Sequence, residues 1–198
     1  KGILMRDLKI NFNILTSTLL LIIIIIYESK NIAANDTSTN LQTKIEILSK
    51  NAENGDTNSQ YLLGKIALDN KKPPDYSEAI YWFEIAANLN HTDSQAMLGA
   101  LLFAGQGKPQ NYKQAAIWWL KAANSGNSNA KASIGALYML GIGVRKNLIE
   151  SYKWLTLAAV DGIKEAANQR DESLSMQMNA EQIREAQKRI NNYLNKNK

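Results

Sequence analysis

A short pattern of apolar residues occurs three times in this chain, at a fixed spacing of 36 residues. Each copy has an Ala or Ser at position i, two large apolar residues at i+3 and i+4, and two alanines at i+7 and i+8. Residues at these positions share one side of an α-helix, and a repeat of this length is typical of stacked helical hairpins. We therefore expect an all-α array whose core contains the first large residue of each copy, Trp82, Trp118 and Trp154. The adjacent Trp119 has no tryptophan counterpart in the other copies and is left unassigned.

Each of these aromatic helices has a start signal and a stop signal. The starts are Asp75, Asn111 and Asn147, four residues before each copy. Asp and Asn accept hydrogen bonds from the free N–H groups of a first helical turn, and the Glu or Gln three residues later completes a pattern close to a capping box. The stops are Asn90, Gly126 and Gly162, three residues after each alanine pair. Gly, and less often Asn, adopts the left-handed conformation that ends many helices.

A second helix precedes each aromatic helix and carries an apolar residue followed by glycine. These glycines are Gly64, Gly99 and Gly135. A glycine inside a helix costs roughly 0.5–1 kcal/mol relative to alanine. We expect the cost to be offset by close approach, with a ring of the partner helix lying against bare backbone.

The two segments that carry a family resemblance are 134–144, Ile-Gly-Ala-Leu-Tyr-Met-Leu-Gly-Ile-Gly-Val, and 154–162, Trp-Leu-Thr-Leu-Ala-Ala-Val-Asp-Gly. With their counterparts in the other copies, they resemble the Sel-1-like repeat (SLR), a relative of the tetratricopeptide repeat. The resemblance covers about residues 41–194. It implies a right-handed α–α superhelix, or solenoid, of helix-turn-helix repeats, and a non-enzymatic adaptor role. The tail at 178–183 is similar to the C-terminal cap common in that family.

The chain divides into a leader, a linker and an array with a capping helix at each end. The N-terminal cap lacks the tryptophan but keeps the alanine and the stop glycine, and Asn40 is its expected N-cap residue. Such a polar, incomplete unit is typical of the solvent-facing end of a repeat array. The last helix is expected to start at Asn179, with Gln182 at its third position, and to lie over the other end. The predicted divisions are 1–34 for the leader, 35–40 for the linker, 41–57 for the N-terminal capping half-repeat, 58–93, 94–129 and 130–165 for repeats one to three, and 166–198 for a partial repeat and the C-terminal capping helix.

The leader has the pattern of a targeting segment, with basic residues ahead of an apolar block. The block at 14–27 is shorter than the ~20 residues that a membrane-spanning helix needs. Three alternatives stay open, namely a cleaved signal peptide, an uncleaved membrane anchor at 10–27, and a buried core helix. The first two place the array in the periplasm or outside the cell, with membrane contact at the N-terminus in the second. This assumes a bacterial source, which the family and the Asn-, Lys- and Ile-rich composition suggest.

The residues show no pattern that predicts a catalytic residue, a metal site or a cofactor. The chain has no Cys and a single His, His91, which we expect to be a solvated turn residue rather than a general base or metal ligand. The Gly-x-Gly segments at 105–107 and 141–143 follow helices, so they are expected to be turns and not phosphate-binding loops. The formal charge of +5 is small and interspersed along the chain, which argues against binding to nucleic acid.

A protein or peptide partner is expected on the concave side, which the first helix of each repeat lines in such superhelices. The relevant face carries positions −3, +1 and +4 relative to each glycine. These are Tyr61, Lys65 and Leu68, then Ala96, Ala100 and Phe103, then Ala132, Ala136 and Met139. Small residues beside Phe, Leu and Met suit an extended or helical segment with apolar anchors. The alternative is that these residues pack between adjacent repeats, because spacing alone does not separate a core position from a concave one.

Three functions are compatible with these features. The first is an exported, non-enzymatic adaptor or scaffold that binds a partner segment on its concave face. The second is a cell-envelope binder or hydrolase associated with peptidoglycan, which only the resemblance suggests. The relevant branch of the family is rich in Cys, whereas this chain has none. The third is a secreted factor that acts on a host cell, and the residues do not distinguish it from the first.

Overall fold

A computed structural model describes residues 39–70 and 72–196 of the chain. The predicted leader and residues 35–38 of the predicted linker lie outside the described residues. The described residues divide into two units, 39–47 and those from Leu48 onward. The described part of the first unit, residues 39–47, is helical. Its helix already includes residue 40, so Asn40 lies inside the helix and is not the N-cap that the sequence predicted.

The second unit, in its described residues, is built from helices and turns without a strand. This confirms the predicted all-α solenoid of helix-turn-helix repeats. The helices are α1 at 39–53, of which residues 48–53 belong to this unit, α2 (Thr57–Asp69), α3 (Tyr76–Asn88), α4 (Thr92–Ala104), α5 (Tyr112–Asn124), α6 (Ser128–Leu140), α7 (Leu148–Val160), α8 (Lys164–Asn168) and α9 (Ala180–Lys196). A π-helical turn at Gln169–Leu174 and a 3₁₀ turn at Ser175–Gln177 join α8 to α9.

Three hairpins, α2/α3, α4/α5 and α6/α7, stack through contacts of α3 with α4 and of α5 with α6. Their start signals work as predicted, because Asp75, Asn111 and Asn147 each accept a hydrogen bond from the N–H group three residues later, at 3.0, 3.0 and 3.1 Å. The stop signals are confirmed as well. Asn90, Gly126 and Gly162 have φ angles of 64°, 97° and 98°, in the left-handed region that favours glycine.

The last helix begins with a complete capping box. The N–H group of Gln182 donates to Asn179 Oδ1 at 2.9 Å, and the N–H group of Asn179 donates to Gln182 Oε1 at 3.0 Å. The pair itself therefore satisfies two of the free N–H donors of this helix start. The helix packs against α7, where the sequence predicted a C-terminal cap.

The mid-helix glycines allow close packing, as predicted, but the residue they face is the second large residue of each copy. A Cβ atom on Gly64 would lie 2.5 Å from the ring of Phe83, and one on Gly99 would lie 2.7 Å from the ring of Trp119. In repeat three the contact is with a Leu side chain instead of a ring. The Gly135 backbone faces Leu155, whose Cγ atom would be 2.9 Å from an added Cβ.

The expectation that all three phased tryptophans lie in the core is wrong for two of them. Trp154 is 1% exposed, whereas Trp82 and Trp118 are only half-buried. Trp119, which the sequence left unassigned, is a core residue at 8% exposed. The second large residue of each copy faces the glycine of the paired helix. The first does not, so its burial depends on whether another element covers it.

Candidate partner-binding cleft

A cleft of about 240 Å³ lies between the first helices of the repeats, α2, α4 and α6, with one wall from α5. Its apolar lining is Tyr61, Ala96, Met97, Ala100, Trp119 and Ala130, and its polar lining is Asp93, Asn127, Asn129 and Ser133. We call it the repeat cleft.

The indole of Trp119 forms the fixed apolar wall of the repeat cleft. Its ring lies against the backbone of Gly99, and its Nε1–H group donates to the carbonyl of Ala96 at 3.1 Å. The ring of Phe103 packs beside it at a centroid distance of 5.3 Å. Because contacts on several sides hold the indole, its exposed edge is a rigid surface that a ligand would meet without reorganisation.

Tyr61 forms the opposite aromatic wall and is supported from two sides. Its ring centroid lies 5.8 Å from that of Phe83 and 5.0 Å from that of His91. His91 is the N-cap residue of α4, because its Nδ1 atom accepts a hydrogen bond from the N–H group of Ser94 at 3.2 Å. The half-buried His91 is thus a helix cap and a ring support for the repeat cleft rather than the solvated turn residue that the sequence predicted.

The polar edge of the repeat cleft is formed by a carboxylate held by a neighbouring amide. The Nδ2 group of Asn127 donates to Asp93 Oδ1 at 2.9 Å. The Oδ1 atom of the same amide accepts from the N–H group of Ala130 at 2.8 Å and caps α6. The two bonds fix the orientation of the amide, so it holds the carboxylate at the edge of the cleft as a hydrogen-bond acceptor.

Only part of the predicted partner-binding set lines the repeat cleft. Tyr61, Ala96 and Ala100 do. Lys65 pairs with Asp69 at 3.7 Å, and Ala136 is half-buried and outside the cleft lining. The remaining predicted residues pack against core clusters, as the alternative reading of the spacing allowed, and they are Leu68, Phe103, Ala132 and Met139.

Four of the lining residues that sequence reasoning missed follow a simple rule, whereas Trp119, Asn127 and Ala130 do not. Asp93 and Asn129 lie six residues before a mid-helix glycine, and Met97 and Ser133 lie two residues before one. Positions −6, −3, −2 and +1 share one helix face. Extending the predicted face by one turn toward the N-terminus of each helix would therefore have found Asp93 and Asn129, and widening it to include position −2 would have found Met97 and Ser133.

Neither a metal-binding group nor a membrane-spanning helix is found among the described residues. Within them no group of three or more His, Asp or Glu side chains is placed to hold a metal ion. In the same part of the chain every helix is too short or too polar to cross a membrane. The predicted anchor at 10–27 lies outside the described residues.

A sequence model of the Sel1 repeat matches the chain three times, at residues 57–91, 92–127 and 128–159. These matches cover α2 to α7 almost completely. A comparison with the sequences of curated proteins gave no match.

Three solved structures similar to this chain come from bacteria. The crystal structure of c5321, a protective antigen present in uropathogenic Escherichia coli strains that displays an SLR fold, is 28% identical with a TM-score of 0.70. The similarity covers 76% of this chain and 32% of the antigen, so the chain spans about a third of that protein. A Sel1 repeat protein from Oxalobacter formigenes is 29% identical with a TM-score of 0.60, over 65% of this chain and 98% of the other. Helicobacter pylori cysteine rich protein B shares the fold, at 19% identity and a TM-score of 0.52, over 65% of this chain and 93% of the other.

Proposed function

We propose, because the chain belongs to the Sel1 repeat family, that it is a non-enzymatic adaptor that binds a peptide or protein segment in the repeat cleft. Proteins of this family are generally protein–protein interaction scaffolds without enzymatic activity. The further step, from an interaction protein to a segment binder with a defined site, depends on the cleft itself.

The observation that carries the proposal is the size and composition of the repeat cleft. Its volume of about 240 Å³ is below the ~300–1,000 Å³ typical of pockets that enclose a small molecule. It is large enough for a side chain of a bound segment. Aromatic and aliphatic walls with a few polar groups at the edge suit an anchor residue whose own backbone stays at the surface.

A segment that binds here would cross several repeats. The lining comes from α2 in repeat one, from α4 and α5 in repeat two and from α6 in repeat three. The small side chains of Ala96 and Ala100 on the middle helix leave room for a backbone to pass between the two aromatic walls. An array that shares one site among its repeats binds extended partners better than compact ones.

Export is the second part of the proposal, and it is independent of the first. It is supported by the basic flank and the apolar block at 14–27 of the leader, and by the similarity to a protective antigen of uropathogenic Escherichia coli. Fractionation of cells that express the full chain would test it. Recovery in the cytoplasm would contradict export and would not affect the proposal of binding in the repeat cleft.

The binding proposal is tested with a substitution that fills the repeat cleft without disturbing the core. Phe103, although it belongs to the predicted set, is not a suitable position, because its ring packs against Tyr112 and Trp119 at centroid distances of 5.1 and 5.3 Å. Ala100 is exposed and lines the cleft, so Ala100→Gln adds volume there at little cost to folding. The matched control is Ala104→Gln, at an exposed residue of the same helix outside the cleft.

The full chain and both variants would be used to capture partners from the source organism, with quantification by mass spectrometry. We expect one or more proteins recovered by the wild type and by Ala104→Gln to be lost with Ala100→Gln. Equal recovery by all three chains would contradict binding in the repeat cleft.

A further inference from the structure

We infer that the anchor taken by the repeat cleft is a basic side chain of the bound segment, an arginine or lysine whose charge lies at Asp93 and whose stem lies between the walls of Tyr61 and Trp119. The inference deepens the proposed function and rests on it. It commits the cleft to one partner chemistry, a segment with a basic anchor.

The first argument is the charge of the repeat cleft. Of its lining residues, all within the described part of the chain, Asp93 alone carries a formal charge. Its carboxylate is held at the cleft edge by Asn127. A carboxylate offers several acceptor sites on its two oxygens, so acceptance from one amide N–H group leaves capacity for a guanidinium or ammonium group.

The second argument is that the lysines of the three first helices do not compensate this charge. The three first helices contain two lysines and no arginine. Lys65 pairs with Asp69 at 3.7 Å, and the buried Lys131 pairs with Asp161 at 2.7 Å. Because both lysines have carboxylate partners of their own, the negative charge at the cleft is left for a cation that the partner supplies.

The third argument is the character of the walls. Tyr61 presents an aromatic surface, which attracts a cation electrostatically when it lies over the ring face, and Trp119 adds an apolar edge. Lys and Arg side chains bury their aliphatic stems along apolar surface while the charged end stays near water. Ala96 and Met97 provide such a surface for the stem. A purely apolar anchor would instead make no use of the acceptor capacity of the exposed Asp93 carboxylate.

The experiment uses three synthetic peptides that differ at one central residue, which is arginine, its neutral isostere citrulline, or leucine. Each is titrated into the ¹⁵N-labelled full chain while the indole N–H signals are followed by NMR. The Trp119 signal is assigned with Trp119→Phe, a substitution that this position accepts because Phe83 occupies it in repeat one. This signal is the right probe, since the Nε1–H group bonds Ala96 inside the cleft wall.

We expect the arginine peptide to shift the Trp119 signal saturably, with an affinity about three- to ten-fold higher than that of the citrulline peptide, as charge-assisted bonds and cation–π contacts predict. Asp93→Asn should remove that preference. The matched control, Asp171→Asn, makes the same charge change at an exposed residue at the far end of the array and should retain the preference.

Each of the other possible outcomes contradicts a different part of the inference. Equal shifts with all three peptides would contradict a basic anchor and leave segment binding in the cleft intact. An arginine preference that survives in Asp93→Asn would contradict the assignment of the charge to Asp93. Absence of a Trp119 shift with every peptide at millimolar concentration would contradict both this inference and the proposed binding site.

Discussion

Repeats two and three carry a tryptophan at the same position of the same helix, and yet these side chains lie in different environments. A lysine ammonium group lies 4.2 Å from the ring centroid in both repeats, Lys121 at Trp118 and Lys153 at Trp154. Trp118, however, is only half-buried. Trp154 is 1% exposed, because Tyr193 of α9 lies edge-on against its ring at a centroid distance of 5.4 Å. The inner seam of each hairpin is therefore made by the residue after the tryptophan and by the glycine that it faces. The tryptophan itself joins the core only where a further helix covers it.

The way in which α9 is attached explains why repeat three receives the cover. In the first two repeats a buried Gln amide, from Gln60 or Gln95, donates to a carbonyl of the preceding helix, at 3.0 and 3.2 Å. The equivalent residue in repeat three is Lys131, which turns to Asp161. The corresponding carbonyl, that of Ala123, accepts instead from the hydroxyl of Tyr193 at 3.1 Å. The change from Gln to Lys131 thus leaves the Ala123 carbonyl without a Gln donor, and Tyr193 of the capping helix donates to it instead.

The largest expected difference between the two repeats is in the cost of removing the tryptophan. Trp154→Ala should lower the free energy of unfolding by about 3–5 kcal/mol, as is typical for a fully buried Trp. Trp118→Ala should cost less, because part of its ring already contacts water and the loss scales with the area buried. Urea unfolding of the full-length variants, followed by circular dichroism, measures both. Equal losses would mean that α9 adds nothing to the burial of Trp154.

The inner seam should respond alike in both repeats, which separates it from the outer tryptophans. An added Cβ would lie 2.7 Å from the Trp119 ring at Gly99 and 2.9 Å from Leu155 Cγ at Gly135. Gly99→Ala and Gly135→Ala should therefore each destabilise the chain by about 1–3 kcal/mol through overpacking. The same urea titrations provide the test. A stabilising effect, which a helix-interior Gly→Ala change gives when space is available, would contradict the close approach.

Local features of this fold were readable from the sequence, and long-range ones were not. The caps at Asp75, Asn111 and Asn147 and the stops at Gly126 and Gly162 depend on residues a few positions away, so the spacing alone predicted them. Burial of the phased tryptophans depends on contacts made by a helix tens of residues further along. Spacing within one copy contains no information about that cover.

The lining of the repeat cleft shows the same distinction between local features, which the sequence predicts, and long-range ones, which it does not. Positions on one helix face are fixed by helical periodicity, so Tyr61, Ala96 and Ala100 could be predicted, and Asp93 and Asn129 could have been. Trp119 enters the cleft from another helix, α5, through its contact with Gly99. The sequence indicated that this glycine would face a ring, but the choice between adjacent Trp118 and Trp119 required the helix orientation.

A smaller effect is expected from the hydroxyl of Tyr193 alone. Tyr193→Phe keeps the ring on Trp154 and removes the hydrogen bond to Ala123, which should cost about 1 kcal/mol. We expect this loss to appear as faster amide hydrogen exchange along α9, with α2 to α5 unchanged. Tyr81→Phe, at a residue that is 57% exposed, is the control and should exchange like the wild type. Uniform acceleration throughout the array would show that α9 is not a separately attached element.

The smallest expected effect concerns the ion pair between Glu150 of α7 and Arg189 of α9. Repeat three has Glu150 where repeat two has Gln114, and this carboxylate pairs with Lys153 at 2.8 Å and with Arg189 of α9 at 2.7 Å. Partial burial by itself raises the pKa of Glu150, but the hydrogen bonds from Lys153 and Arg189 outweigh it, so the net pKa is lowered. A carboxyl whose pKa is lower in the folded state stabilises that state above its unfolded pKa.

This contribution should be complete above about pH 5 and should disappear as the pH falls below the ordinary Glu value of about 4.3 and through the lower folded value. Melting temperatures of the wild type should therefore fall more steeply between about pH 5 and pH 3 than those of Glu150→Gln, which has no proton to bind there. Glu84→Gln removes the same charge from repeat one, where Glu84 forms a more exposed pair with Lys108 of repeat two. It should change the pH dependence of the melting temperature less, because exposed ion pairs contribute little. If Glu150→Gln and the wild type lose stability in parallel, the ion pair between α7 and α9 does not hold the capping helix, and its attachment depends on Tyr193 and the apolar contacts alone.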